Sequence, residues 1–254
     1  MNCHLRLVRM TGLAIALLVA CARSGQAQTG GAGTPGEWLT QYSSARTLGL
    51  GGAFVASADD ALGTLWNPAG LQMLDQNQLR FESALLYENT SINGVSLAVP
   101  GSRWPSIGVS MLSLSSGDFQ RTDALNNSLG TFNEGETAYL FTLGKSLSPK
   151  FAIGANVKLV QQTVESFNGG GFGFDLGGIL SLTPGLRIGA SAMNLGGPSI
   201  TLRDVAEPWP AQLRGGFALT VLGGRALLCG EVDQSSGLGT KFRAGTEYHV
   251  FQGL

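Results

Sequence analysis

Nucleophilic or acid–base catalysis near neutral pH usually runs through histidine, and His249 is the one histidine outside the N-terminal leader. Any Ser-His-Asp arrangement has to pass through it. At a spacing of two, Glu247 and Arg243 share its strand face, which a polar channel wall explains without catalysis. Cys3, Cys21 and Cys229 form no cluster with histidine, so no metal site is expected. The glycines at 49–52 and 169–173 lack the Lys-Ser/Thr of a phosphate loop and the strand–helix setting of a dinucleotide fold. Close packing or turns account for them better. No enzyme and no cofactor are expected. What is left is an adjacent carboxylate pair, Asp59 and Asp60, inside the glycine-rich and apolar stretch 48–74.

The leader itself reads as an export signal. Arg6 and Arg9 precede the apolar run 13–20, and Gly25-Gln26-Ala27 is a small-x-small site. Residues 1–27 are therefore expected to be removed by cleavage before Gln28. Leu18-Val19-Ala20-Cys21 offers a competing lipobox, which would leave Cys21 lipidated. In both cases the chain is exported. Cys229 then reads as a small apolar side chain in a strand.

Composition narrows the class. Of 254 residues only 13% are charged and 38 are glycine, against an ordinary charged share of ~25%. Mean hydropathy is +0.15, yet no apolar run beyond residue 30 approaches the ~20 residues of a membrane helix. A net charge of −1 argues against a nucleic-acid partner. These statistics suit a membrane β-barrel, and a secreted β-sandwich nearly as well.

Alternation decides between them. After a Gly/Thr/Ser/Gln-rich lead-in at 28–44, period-two segments run at 78–87, 91–99, 106–114, 137–144, 151–159, 172–182, 186–192, 212–221, 226–233 and 241–250. These are about ten strands of roughly bilayer-crossing length. Large apolar residues hold one face. Arg80, Glu82, Lys158, Asp175, Arg187, Arg214, Lys241, Arg243 and Glu247 all fall on the other, among Gly, Ala and Ser. Lipid demands the first face and a crowded lumen tolerates the second. The expectation is an all-β protein, a transmembrane antiparallel β-barrel embedded in outer-membrane lipid. Its short turns lie near 100, 147–150, 183–185 and 222–224. Its longer polar connections are 115–136, 161–170 and 195–210, of which 118–135 and 196–210 are expected to face outward. Tyr87, Trp104, Trp209 and Tyr248 are candidates for interfacial belts. The only large apolar side chains expected in the lumen are Leu86, Leu112, Leu114, Leu140 and Ile179.

Residues 45–76 cannot lie bare in lipid, because their irregular backbone would be unsatisfied there. A plug inside the lumen is the economical placement. Asp59 and Asp60 then pair with luminal Arg80, Arg187, Arg214 or Arg243, or they cap a short helix starting near Ala61. Gly49, Gly51 and Gly52 shape its entry, Trp66 anchors it, and Asn67-Pro68 fixes a turn.

These residues resemble a known family. Ser44-Ala45-Arg46-Thr47-Leu48-Gly49-Leu50-Gly51-Gly52-Ala53-Phe54-Val55-Ala56, then Asp59-Asp60-Ala61, then Trp66-Asn67-Pro68-Ala69-Gly70-Leu71 are similar to the N-terminal signature of the PorV/PorQ family. That family is related to the FadL long-chain fatty-acid transporters. Ser116-Gly117-Asp118, Phe174-Asp175-Leu176-Gly177, Ala192-Met193-Asn194-Leu195-Gly196 and Leu213-Arg214-Gly215-Gly216 also look like the family. The resemblance implies a FadL-like fourteen-stranded outer-membrane barrel (77–254) with an N-terminal hatch (45–76). About ten strands are readable here, so the barrel is expected to be incomplete at its C-terminus, with a closed ten-stranded barrel as the alternative. The role implied first is in type IX-like protein secretion or surface attachment, with secretion-system proteins as partners. The alternative is a channel for fatty acids or other hydrophobic small molecules.

Overall fold

The computed structural model describes residues 34–41, 44–237 and 239–250. The export signal at 1–27, the lipidation site at Cys21, much of the lead-in and residues 251–254 lie outside them. Beyond the N-terminal segment the chain is antiparallel sheet, as the alternation requires. Its strands are β1 (Gln78–Leu85), β2 (Ser91–Val99), β3 (Ser106–Thr122), β4 (Ser128–Ser148), β5 (Phe151–Val164), β6 (Phe167–Thr183), β7 (Leu186–Leu195), β8 (Ser199–Thr201), β9 (Ala206–Pro208), β10 (Gln212–Val221), β11 (Ala226–Ser235) and β12 (Thr240–Tyr248). Ten of them form one sheet in chain order, with β7 passing directly to β10, while β8 and β9 pair separately. Among the described residues no pairing joins β1 to β12.

The two faces separate as their chemistry dictates. Phe81, Val109, Phe141, Leu159, Phe172, Leu213 and Phe242 all point outward and are exposed, whereas Lys158, Asp175 and Arg214 on the inner face are buried. A continuous apolar outer wall is stable against lipid and costly against water.

Two of the expected long loops are strand instead. Residues 115–136 extend β3 and β4 and leave a connection of only 123–127, and 161–170 extend β5 and β6 around a two-residue turn. At 21 residues, β4 is roughly twice the 9–11 needed for a tilted crossing. Its far half, 128–137, is mostly polar, with Leu129 and Phe132 its only large apolar residues. Trp209 is corrected too. It is 3% exposed, with its ring against Gly36 and 5.6 Å from Lys158 Nζ, and it belongs to the core rather than to an interfacial belt. The 195–210 connection folds inward, seating Pro198, Ile200 and Thr201 on Gly169, Gly171 and Gly173 of β6.

The 123–127 turn is closed by backbone bonds of Asp123 with Asn126 and Asn127 and fastened by one side chain. Asp123 Oδ1 accepts from the backbone N–H of Leu125 at 2.9 Å and of Asn127 at 2.8 Å, and Oδ2 accepts from Asn127 Nδ2. The Asn127 side-chain bond, followed by its backbone bond, lowers the Asp123 pKa below the usual carboxylate value. A depressed carboxylate stabilises above its unfolded pKa of ~3.9 and loses that contribution as pH falls through the folded value. The turn should therefore stay closed at neutral pH and loosen in acid below that point. The amide shifts of Leu125 and Asn127 in an NMR titration, absent in Asp123→Asn, report it.

Candidate functional site

The site is the inside of the sheet, and residues 44–76 build it. Ser44 caps the short helix Ala45–Gly49 through a bond from the Arg46 N–H. Gly51 and Gly52 then take left-handed backbone at φ 60° and 78° and bring the chain against β12. A methyl at Gly51 would stand 2.8 Å from the Ala244 carbonyl oxygen, whereas Gly49 has open space. Gly51→Ala should therefore destabilise by about 1–2 kcal/mol. Gly49→Ala, inside the helix, should be neutral or stabilise by up to ~1 kcal/mol. Urea unfolding midpoints of the two variants separate these outcomes.

From there the chain lies directly on the wall. Added side-chain atoms at Gly245, Gly189, Gly177 and Gly154 would overlap Leu50, Val55, Asn67 and Pro68 respectively. The inner face is therefore glycine-rich where plug backbone rests on it. Asn67 fastens the middle. Its Nδ2 donates to the carbonyls of Val55 at 2.8 Å, in the plug, and Gly178 at 3.1 Å, in β6, while its Oδ1 accepts from the Ala69 N–H. Pro68 opens the following 3₁₀ turn. Trp66, 1% exposed, packs edge-to-face on Phe54 with centroids 5.6 Å apart. At the far end Gln72 donates to Ser106 Oγ of β3 and to the Gly144 carbonyl of β4. The plug thus bridges opposite parts of the sheet.

Ionic groups complete the seating. Asp59 pairs with Arg46 at 2.6 Å and with Arg187 at 3.2 Å. Asp60 does both things expected of it: Oδ1 caps the Gly63 N–H at 2.8 Å, while Oδ2 lies 3.6 Å from Arg80. Arg80 also approaches Glu82 at 3.9 Å. Arg46 reaches Glu247 of β12 at 2.9 Å and Asp60 faces Arg80 of β1, so charged plug residues meet both edge strands. Arg214 and Arg243 do not meet Asp59 or Asp60. They face Asp233 at 3.8 and 2.7 Å. Lys158 and Asp175 form a separate buried pair at 3.1 Å. Asp175 also accepts from the Asn194 N–H and from Asn156, and Lys158 also donates to Asn194 Oδ1.

One residue carries more than its sequence position suggested. Glu231 Oε2 accepts from the backbone N–H of both Phe54 and Val55 at 2.9 Å, and Oε1 lies 3.4 Å from Arg243. Nothing local separates Glu231 from Asp233 beside it. The signal available was a carboxylate on the luminal face of a strand with few charges.

Above the plug, toward the long-strand end, the lumen is apolar. Ile92, Leu112, Leu140 and Val160 are buried there with Trp38 and Leu39 of the short helix Trp38–Gln41 and with Leu65. A cavity of about 10 Å³ lies between Leu39, Leu65 and Leu140 on one side and Lys158, Gln212 and Arg214 on the other. Nε and Nη1 of Arg214 are buried there without a hydrogen-bond partner.

The fold has a solved counterpart. A FadL homologue from Pseudomonas aeruginosa superimposes with a TM-score of 0.54 at 11% identity, over 84% of this chain and 77% of that one. The likeness is one of fold. No protein-family model matches the sequence, and no curated protein matches it.

Proposed function

We propose that this protein passes hydrophobic molecules with an acidic head group through the outer membrane, with the 45–76 plug as its hatch. The carrying observation is the amphipathic cavity, where Arg214, its Nη1 buried without a hydrogen-bond partner and its Nε no nearer than 3.8 Å to Asp233, borders a space walled by Leu39, Leu65 and Leu140. A carboxylate would satisfy the arginine, and an alkyl chain would take the apolar side. As it stands the cavity has room for about one water, so cargo enters only when the Trp38–Gln41 helix withdraws. The fold likeness to a FadL homologue supports this reading. So does the lumen, where Ile92 and Val160 add to the apolar residues expected from sequence.

Uptake of radiolabelled oleate tests it, in a strain deleted for the gene and complemented with the wild type or with Arg214→Met. The deletion should abolish gene-dependent uptake, and Arg214→Met should cut it roughly tenfold through loss of a charge-assisted bond. Uptake that is unchanged by the deletion overturns the proposal.

A second reading rests on the similarity of 44–71 to the PorV/PorQ signature. In it the protein serves type IX-like export or surface attachment of other proteins, and secretion-system proteins are its partners. Mass spectrometry of surface proteins in the deletion strain distinguishes it: a set of proteins lost from the surface and held in the periplasm supports this reading, and an unchanged set removes it.

A further inference from the structure

Thirteen lysines and arginines lie among the described residues, and most face a carboxylate inside the sheet or across it. Five of the thirteen, Arg103, Lys145, Lys150, Arg203 and Arg225, make no ion pair with a described residue; Arg203 lies over the Phe167 ring in the 195–210 connection, and the other four sit at the short-turn end, in or beside the turns after β2, β4 and β10. The opposite end carries Glu88, Asp118, Asp123, Glu134, Asp204 and Glu207 in its connections and strand extensions. Four of the five unpaired cations therefore lie at one rim, against the single unpaired carboxylate Asp75 among the described residues there, and the excess of carboxylates lies at the other.

Directly beside that rim the outer wall is grooved. Ala155 of β5 faces outward between Leu143 of β4 and Leu176 of β6, its direct partners across the sheet. The small side chain leaves a groove of about 460 Å³ walled by Pro105, Leu143, Ile153 and Leu176. Lys145, paired across the sheet with Ile153, stands at the rim end of this groove. Its Nζ donates to the Arg103 carbonyl at 2.8 Å, which places the Arg103 backbone beside Lys145 and leaves its guanidinium within a side chain's reach of the groove end. An apolar trough in a lipid-facing wall, ending in unpaired cations, matches one kind of occupant in both shape and charge.

We propose that this groove binds an anionic phospholipid of the leaflet at the short-turn end, with one acyl chain over Ala155 and its phosphate on Lys145 and Arg103. The proposal rests on the membrane reading above and goes beyond it. The purified full-length chain is inserted into phosphatidylethanolamine vesicles with and without phosphatidylglycerol, insertion is followed by heat-modifiable migration, and retained lipids are weighed by native mass spectrometry. Wild type should retain one phosphatidylglycerol about tenfold in preference to phosphatidylethanolamine. Arg103→Glu with Lys145→Glu should erase the preference, and Ala155→Phe should expel the lipid with every charge in place. Arg225→Glu, on a turn remote from the groove, should leave it intact. Wild type that inserts without the preference overturns the lipid site alone. An Arg225→Glu effect as large as that at Lys145 also overturns it, because the attraction is then diffuse. A chain that inserts into neither vesicle overturns the membrane reading along with it.

Discussion

Glu231→Ala should release the plug from β11 and open a water path along the inner face of the sheet. The carboxylate is the only acceptor for two consecutive plug N–H groups among the described residues, and both are buried. Alanine leaves two unsatisfied donors at about 1–3 kcal/mol each and removes one of the two carboxylates facing Arg243. A loss of about 3–5 kcal/mol follows, the usual result of removing one partner from a buried charged network. Glu231→Gln keeps an acceptor oxygen of the same reach and should lose clearly less. Urea unfolding in detergent gives the energies. Single-channel conductance in planar bilayers gives the leak, expected in Glu231→Ala and small in Glu231→Gln. An alanine variant as stable and as tight as wild type would mean that the plug is seated elsewhere.

Lys158→Met should be comparably severe for a different reason. Met matches the length of Lys but leaves Asp175, fully buried, with only the neutral donors Asn156 and Asn194. A buried charge stripped of its counter-ion costs about 3–5 kcal/mol. The double variant Lys158→Met, Asp175→Leu removes both charges, so it should lose less than the Lys158 change alone, although Asn194 then keeps an unpaired N–H. The interaction energy from the double-mutant cycle should be about 2 kcal/mol or more. Simple additivity would show that the two charges act independently.

The wall was legible in the sequence because within strand after strand, from Leu79 and Phe81 to Phe242 and Tyr248, large apolar residues return at second positions, a pattern with few physical explanations. The same reasoning fails where the apolar face ends. Residues such as Gln120, Arg121, Asn133 and Glu134 lie in β3 and β4, yet water meets both of their faces, so the period of two disappears and strand reads as loop. Luminal side chains were recognisable by parity, but their partners were not. Arg46 meets Glu247 across 201 positions, and no local pattern encodes such a pairing. Trp209 was misjudged for a related reason: a tryptophan near a strand start suits an interface equally well until the fold of 195–210 is known.

The plug precedes every described strand and ends up touching β12. Its Leu50 carbonyl lies against Gly245, and Arg46 is paired with Glu247, contacts that cannot exist until β12 has been laid down. Partial sheets therefore hold the segment through β6 and β7 at Asn67 while its leading end stays unlatched. Contacts of such wide sequence separation slow the final step. Refolding followed at Trp66 should accordingly report burial earlier than a probe attached near Arg46.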